Sequence, residues 1–353
     1  MNKLDIILKK EKAIPLDKFI NIALYDKKHG YYMKKNPFGN KGDFITAPMV
    51  SNLFSEMIAV WCISYWQYLK KPKKIVIVEL GPGNASLCLE IIKTFQKFPE
   101  FYKCLEIKLL EVSKKLKKIQ KTKIKNNKVK WIDKIDEIKS GPVLFFANEF
   151  FDALPIKQIY KKNNIYFERF ITTSNKKKLR FTSKKANKII IKKIKKLKLS
   201  NNNNIIEYPI YGIKYLIKIA NIIKRYDGGL LTIDYGYNIR NGGDTLQSIK
   251  KHRYSKIFNN IGNSDITTHV NFKLMSNILN MNELKVNKIV TQSEFLQKLG
   301  IKERAITLAN KKTFKEKARV FYKLKKLLDY GEMGSLFKVL FAQKKNNKFN
   351  LGF

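Results

Sequence analysis

The sequence predicts an α/β protein built on a mostly parallel sheet, and three observations carry that prediction. Apolar, largely β-branched or aromatic runs recur at 74–78, 105–110, 128–131, 142–147 and 227–237, separated by stretches whose apolar residues fall at helical intervals. A glycine turn, Gly81-Pro82-Gly83, lies between the first run and the first such stretch. Polar residues close several runs: Glu79, Glu111, Asn148 with Glu149, and Asp234. Strands alternating with helices favour parallel pairing, and in such sheets ligands are met beyond the carboxyl ends of the strands.

In chain order, residues 1–28 read as helical, restarting after Pro15 through Phe19, Ile20 and Leu24. A turn-rich stretch follows at 36–48, where Gly, Pro and Asn gather with Gly42, Asp43 and Phe44. Ser51 is placed to cap a helix to about Leu69, with Leu53, Met57, Val60, Trp61 and Tyr65 as its inward stripe. After the glycine turn come a helix from Leu87, the 105–110 strand, a lysine-rich helix from Ser113 to Ile124, and short strands at 128–131 and 142–147. Ile165–Phe170 and Leu179–Phe181 can pair as a hairpin, followed by a low-complexity segment that ends in four asparagines. A helix at 213–225, the 227–237 strand, a loop at 242–258, a helix at 273–279 and strands at 284–290 and 336–342 complete the pattern. The expected divisions are 1–72, an N-terminal helical extension with a substrate or cofactor loop; 73–158, the first half of the sheet; 159–204, an insertion; and 205–353, the second half.

The glycine turn narrows the ligand. Gly81 permits a sharp turn and Gly83 a close backbone approach at a helix start, where free N–H groups point outward. A dinucleotide site wants G-x-G-x-x-G, yet the sixth position is Ser86. An acid two residues before the first glycine, Glu79, and a second at the end of the next strand, Glu111, favour S-adenosylmethionine, with Glu111 accepting from the ribose hydroxyls. Gly81, Gly83, Glu79 and Glu111 are assigned to the cofactor on these grounds, and Pro82, Asn148, Gly42 and Asp43 complete the expected cofactor contacts. Glu149 and Asp152 are the expected catalytic acids, with Asp43, Asp234 and His269 in reserve.

The formal net charge of +44 invites a nucleic-acid reading. The 72 Lys and Arg residues are mostly lysines scattered through every segment among Ile and Asn, however, and this argues for compositional drift and against a nucleic-acid partner. Three cysteines without metal-ligand spacing and three separated histidines give no metal site and suit a reducing compartment. The first residues show neither an apolar signal core nor an arginine-rich presequence, and no apolar run approaches a membrane span, so the expected location is cytoplasmic.

Several stretches together resemble one family, the MidA proteins with their mitochondrial member, complex I assembly factor 7. They are His29-Gly30-Tyr31-Tyr32, residues 42–48, Glu79-Leu80-Gly81-Pro82-Gly83, residues 148–155, Ile233-Asp234-Tyr235-Gly236 and residues 265–270. The resemblance implies a class I S-adenosylmethionine-dependent methyltransferase, a Rossmann-like seven-stranded sheet, that symmetrically dimethylates an arginine on a core subunit of respiratory complex I during assembly. The implied partner is a protein substrate, and a homodimer is left open. The chain departs from the family pattern at Ala85 and Ser86, where Gly and Thr are usual, at Met49, where Glu is favoured, and at Asn271, where Asp is favoured. Two alternatives stay open: methylation of RNA or a small molecule, and a non-catalytic assembly chaperone.

Overall fold

The computed structural model describes residues 11–34, 37, 39, 46–174, 178–197, 199, 205–238, 243–310 and 312–353. The chain divides into two compact units: one from residues 1–44, 151–215 and 239–269, the other from 45–150, 216–238 and 270–353. The described residues show no helix long and apolar enough to cross a membrane.

The larger unit is organised on a sheet whose main strands are β1 (Ile75–Leu80), β2 (Leu105–Leu110), β3 (Val129–Ile132), β4 (Val143–Asn148), β5 (Gly228–Tyr237), β6 (Leu284–Val286) and β7 (Phe337–Lys344). Their order is β3-β2-β1-β4-β5-β7-β6. The first five are parallel, while β7 runs antiparallel to both β5 and β6. Every residue of β1 is buried, as a central parallel strand covered on both faces requires. Register fixes the site: Leu80 lies opposite Leu110 on one side and Ala147 on the other, and Ala147 opposite Thr232. The carboxyl ends of β1, β2 and β4 are therefore level, with Glu111 and Asn148 each one residue beyond Leu80. The expected strand at 284–290 is two short pieces, since Val290–Thr291 pairs separately with β7.

Helix α1 (Asn52–Tyr68) starts where Ser51 Oγ accepts from Leu53 N at 3.3 Å. Its buried face carries Leu53, Met57, Trp61 and Tyr65, but Val60 is 38% exposed and leaves the expected stripe. Trp61 meets Phe341 of β7 edge-on at 4.8 Å and Phe349 at 5.5 Å, and its Nε1 donates to Leu351 O at 2.9 Å. The sequence reading groups α1 with the 1–72 extension, yet its aromatic face lies in the core of the sheet unit. Helices α2 (Ser86–Phe95), α3 (Lys114–Lys123) and α4 (Phe272–Met281) complete the parts that bear on the site.

In the other unit, Ile165–Thr173 pairs antiparallel with Leu179–Lys185, so the expected hairpin forms. It is not confined to an insertion, because Ile165–Thr173 also pairs with Lys157–Lys162 and Ala13–Pro15. Ile206–Tyr208 extends this five-stranded sheet. The region read as a loop contains Gln247–Lys250 and Arg253–Ser255, which form a second sheet with Asp265–Thr267. The amphipathic helix Leu16–Tyr25 buries Leu16, Phe19, Ile20 and Leu24 among Ile14, Tyr31, Ile156, Ile171 and Ile266.

Candidate cofactor site at the strand ends

The turn after β1 takes left-handed backbone at every second residue. Gly81 has φ +63°, Gly83 φ +53° and Ala85 φ +68°. A Cβ on Gly81 would come within 2.9 Å of Phe150 Cδ2, so ring and turn leave no room for a side chain there. Gly81 N donates to Leu110 O at 3.0 Å, and Ala85 N to Pro82 O at 2.8 Å. Asn84 Oδ1 accepts from Ser86 N at 3.1 Å and Ser86 Oγ at 2.6 Å, which orders the first turn of α2.

Two acids flank this turn. Glu79, the penultimate residue of β1, is buried, and that burial, reinforced by the nearby Glu111 carboxyl, pushes its pKa up to about 8. Glu111 is also buried, which raises its pKa, although hydrogen bonds oppose the rise: Oε1 accepts from Ser113 N at 2.8 Å and Oε2 from Gln120 Nε2 at 3.0 Å. Gln120 was not among the expected residues. It is fully buried on α3, its Nε2 also donates to Gly83 O at 2.8 Å, and its Oε1 accepts from Trp131 Nε1 at 2.8 Å.

Beyond β4, Asn148 Nδ2 donates to Glu149 Oε1 at 3.2 Å, and Glu149 takes φ +51° while its N donates to Ile233 O at 3.0 Å. Left-handed backbone at a non-glycine residue costs of order 1–3 kcal/mol and gathers at functional turns. Asp234 is fully buried and accepts from Phe150 N at 3.2 Å and Tyr235 N at 3.0 Å, so its carboxylate braces the backbone of this turn.

Asp152 and His269 belong to the other unit, with the unit boundary after Phe150. There Asp152 O accepts from Thr268 N at 3.1 Å, and His269 N donates to Thr245 Oγ1 at 3.0 Å; burial lowers the His269 pKa. Gly42 and Asp43 lie outside the described residues. Of the departures, Asn271 caps α4, its Oδ1 accepting from Leu274 N at 2.9 Å, a task Asn and Asp perform about equally. Met49 Sδ accepts from Asn84 Nδ2 at 3.8 Å.

These residues suit S-adenosylmethionine. The glycine turn packs its backbone against Phe150 with no room for a Cβ at Gly81, two buried acids stand at adjacent strand ends, and Asn148 Oδ1 is a buried acceptor with no partner among the described residues. With β7 antiparallel between β5 and β6, the sheet order and this turn define a class I methyltransferase fold that uses S-adenosylmethionine. Residues 57–290 match the model of the family described as "Putative S-adenosyl-L-methionine-dependent methyltransferase", and the chain belongs to that family. Among similar proteins are those named "Protein arginine methyltransferase NDUFAF7, mitochondrial" from Xenopus tropicalis, 29% identical over 96% of this chain and 84% of that one, and from Homo sapiens, 27% identical over 86% and 74%. The Drosophila melanogaster homolog of that name is 25% identical over 93% and 80%. A crystal structure from Burkholderia thailandensis, bound to S-adenosyl-homocysteine, superposes with a TM-score of 0.85 at 20% identity over 99% of this chain and 92% of that one, which shows the fold.

The cytoplasmic expectation is overturned by the same comparisons, since these relatives are named mitochondrial. It rested on what the first residues lack, and a missing compositional signal is no positive address.

Proposed function

We propose that this protein is a protein-arginine N-methyltransferase that symmetrically dimethylates an arginine on a core subunit of respiratory complex I during assembly. The names of the relatives support the arginine and favour a mitochondrial setting; the complex I subunit and the symmetric product follow the sequence resemblance. The observation that carries the reading is the level edge of β1, β2 and β4, which sets Glu79, Glu111 and Glu149 at neighbouring strand ends around one glycine turn.

In this assignment Gly81, Pro82, Gly83, Glu79, Glu111 and Asn148 hold the cofactor, which supplies an electrophilic methyl on a sulfonium. A guanidinium is a poor nucleophile because its charge is delocalised and its pKa exceeds about 12. Glu149 is given the task of binding it. A carboxylate paired with two of its nitrogens draws the positive charge toward them and leaves electron density on the third, and holding that nitrogen in line supplies much of the rate. The Asn148 amide bonded to Glu149 keeps the carboxylate in one orientation. Asp234, engaged by two backbone N–H groups, takes a positioning role through Phe150. Asp152, His269 and Asp43 remain the further acid and base candidates.

Glu149→Gln is expected to bind S-adenosylhomocysteine within about threefold of the wild type, because the cofactor contacts stay intact, and to lose at least about a hundredfold in transfer of labelled methyl to complex I subunits. Full turnover by this variant would remove Glu149 from the mechanism. The net charge of +44 keeps an RNA substrate as the second reading, and label appearing in RNA with none in protein would favour it. A protein that binds no cofactor would instead be an assembly chaperone.

A further inference from the structure

Helix α3 turns Lys114, Lys115, Lys118, Lys121, Thr122 and Lys123 to solvent, yet it buries one amide completely. Its buried residues are Leu116 and Gln120. For packing alone an apolar side chain would serve better, since burying an amide is unfavourable unless its hydrogen bonds are made. Here all are made. Trp131 Nε1 can only donate, so it fixes which end of the amide is oxygen. The nitrogen is thereby aimed at two acceptors, the Gly83 carbonyl of the glycine turn and Oε2 of Glu111. The other oxygen of Glu111 is held by Ser113 N, and the backbone of Val112 gives the carboxylate a further hydrogen bond, so both oxygens are fixed by neutral donors while lone-pair capacity is left for a ligand.

We infer that Gln120, oriented by Trp131, is a positioning residue for nucleoside recognition: it ties the glycine turn to Glu111 and presents that carboxylate to a vicinal diol. The inference rests on the assignment of Glu111 to the ribose. Its consequence is selectivity. A carboxylate locked on both oxygens meets two hydroxyl donors at once, so the value of the Gln120 bonds depends on both hydroxyls being there.

Calorimetry on the full chain with two ligands, S-adenosylhomocysteine and its 2′-deoxyadenosyl counterpart, tests this. Gln120→Met keeps the volume and removes the hydrogen bonds; it is expected to weaken S-adenosylhomocysteine about tenfold, the range for a bond to a charged group, and the 2′-deoxy ligand by no more than about twofold. Trp131→Phe frees the amide to turn and is expected to shift the same ligand pair in the same direction by a smaller factor. Equal penalties for both ligands would mean that Gln120 merely supports the fold, and no penalty would mean that it does nothing for binding; either overturns the proposal. If Gln120→Met does not fold, the Trp131→Phe ligand pair decides by the same criterion. Normal binding of S-adenosylhomocysteine by Glu111→Gln would instead show that the ribose assignment itself had failed.

Discussion

Ala85 stands where relatives of the resembled family carry glycine, and its backbone is left-handed at φ +68° with its methyl fully buried. Three effects compete in Ala85→Gly. Relief of left-handed strain is worth about 1–2 kcal/mol, against about 0.4–1 kcal/mol for the greater freedom of the unfolded chain and about 0.8 kcal/mol for the lost methyl. They nearly cancel, so the melting temperature should move by less than about 2 °C; a fall of several degrees would show that the turn does not hold Ala85 in this conformation. Glu79 makes a second residue-scale claim. Its folded pKa of about 8 lies above the ordinary 4.5, so its neutral form is favoured by folding. That contribution is fully present below about 4.5 and is lost as pH rises through about 8. Unfolding of the ligand-free protein followed between these limits should show stability falling with pH, and Glu79→Gln should flatten that fall; an unchanged slope would contradict the burial argument. A cationic ligand beside Glu79 would favour the ionised carboxylate. The placement of Glu79, Gly81 and Glu111 at strand ends was legible from the sequence because each closes an apolar run. Gln120 was not, because one glutamine among lysines has no signature until α3 turns it beneath Gly83, 37 residues earlier, and toward Trp131 on the next strand.

At the scale of elements, α1 and β7 are joined by aromatic packing. Trp61 contacts Tyr65, Phe341 and Phe349, and its indole nitrogen is bonded to Leu351 O. Trp61→Ala should destabilise the protein by about 3–5 kcal/mol, with Trp61→Phe costing less. Denaturant unfolding checks this, and a loss below about 1 kcal/mol would mean that α1 is not anchored through this residue. The long buried strands were readable because both faces are covered and the apolar run is continuous: β1, β4 and β5 fall where the pattern put them. The short strands Gln247–Lys250 and Arg253–Ser255 were not, since their pairing depends on Asp265–Thr267 farther along the chain and on no local periodicity. Val60 was misread for a related reason, because helical spacing alone does not say how wide the buried face is.

At the scale of the whole molecule, the chain passes repeatedly between two units, and the stretch 148–155 is itself divided after Phe150. Composition could not disclose this. Glu149 and Asp152 look like one motif in sequence, yet the first closes a strand of the parallel sheet and the second belongs with Thr268 in the other unit. The charge of +44 does not decide between a protein and an RNA substrate, and lysines such as Lys71, Lys218 and Lys224 are engaged in exposed ion pairs of the kind that contribute little to stability. What the sequence and the fold agree on is the strand-end edge, and a crystal structure of the protein with S-adenosylhomocysteine would test it most directly. The account predicts the ligand over the Gly81–Gly83 turn, both ribose hydroxyls on Glu111 and Gln120 still bonded to that carboxylate. A nucleoside bound away from Glu111, or bound there with its hydroxyls turned from the carboxylate, would contradict it.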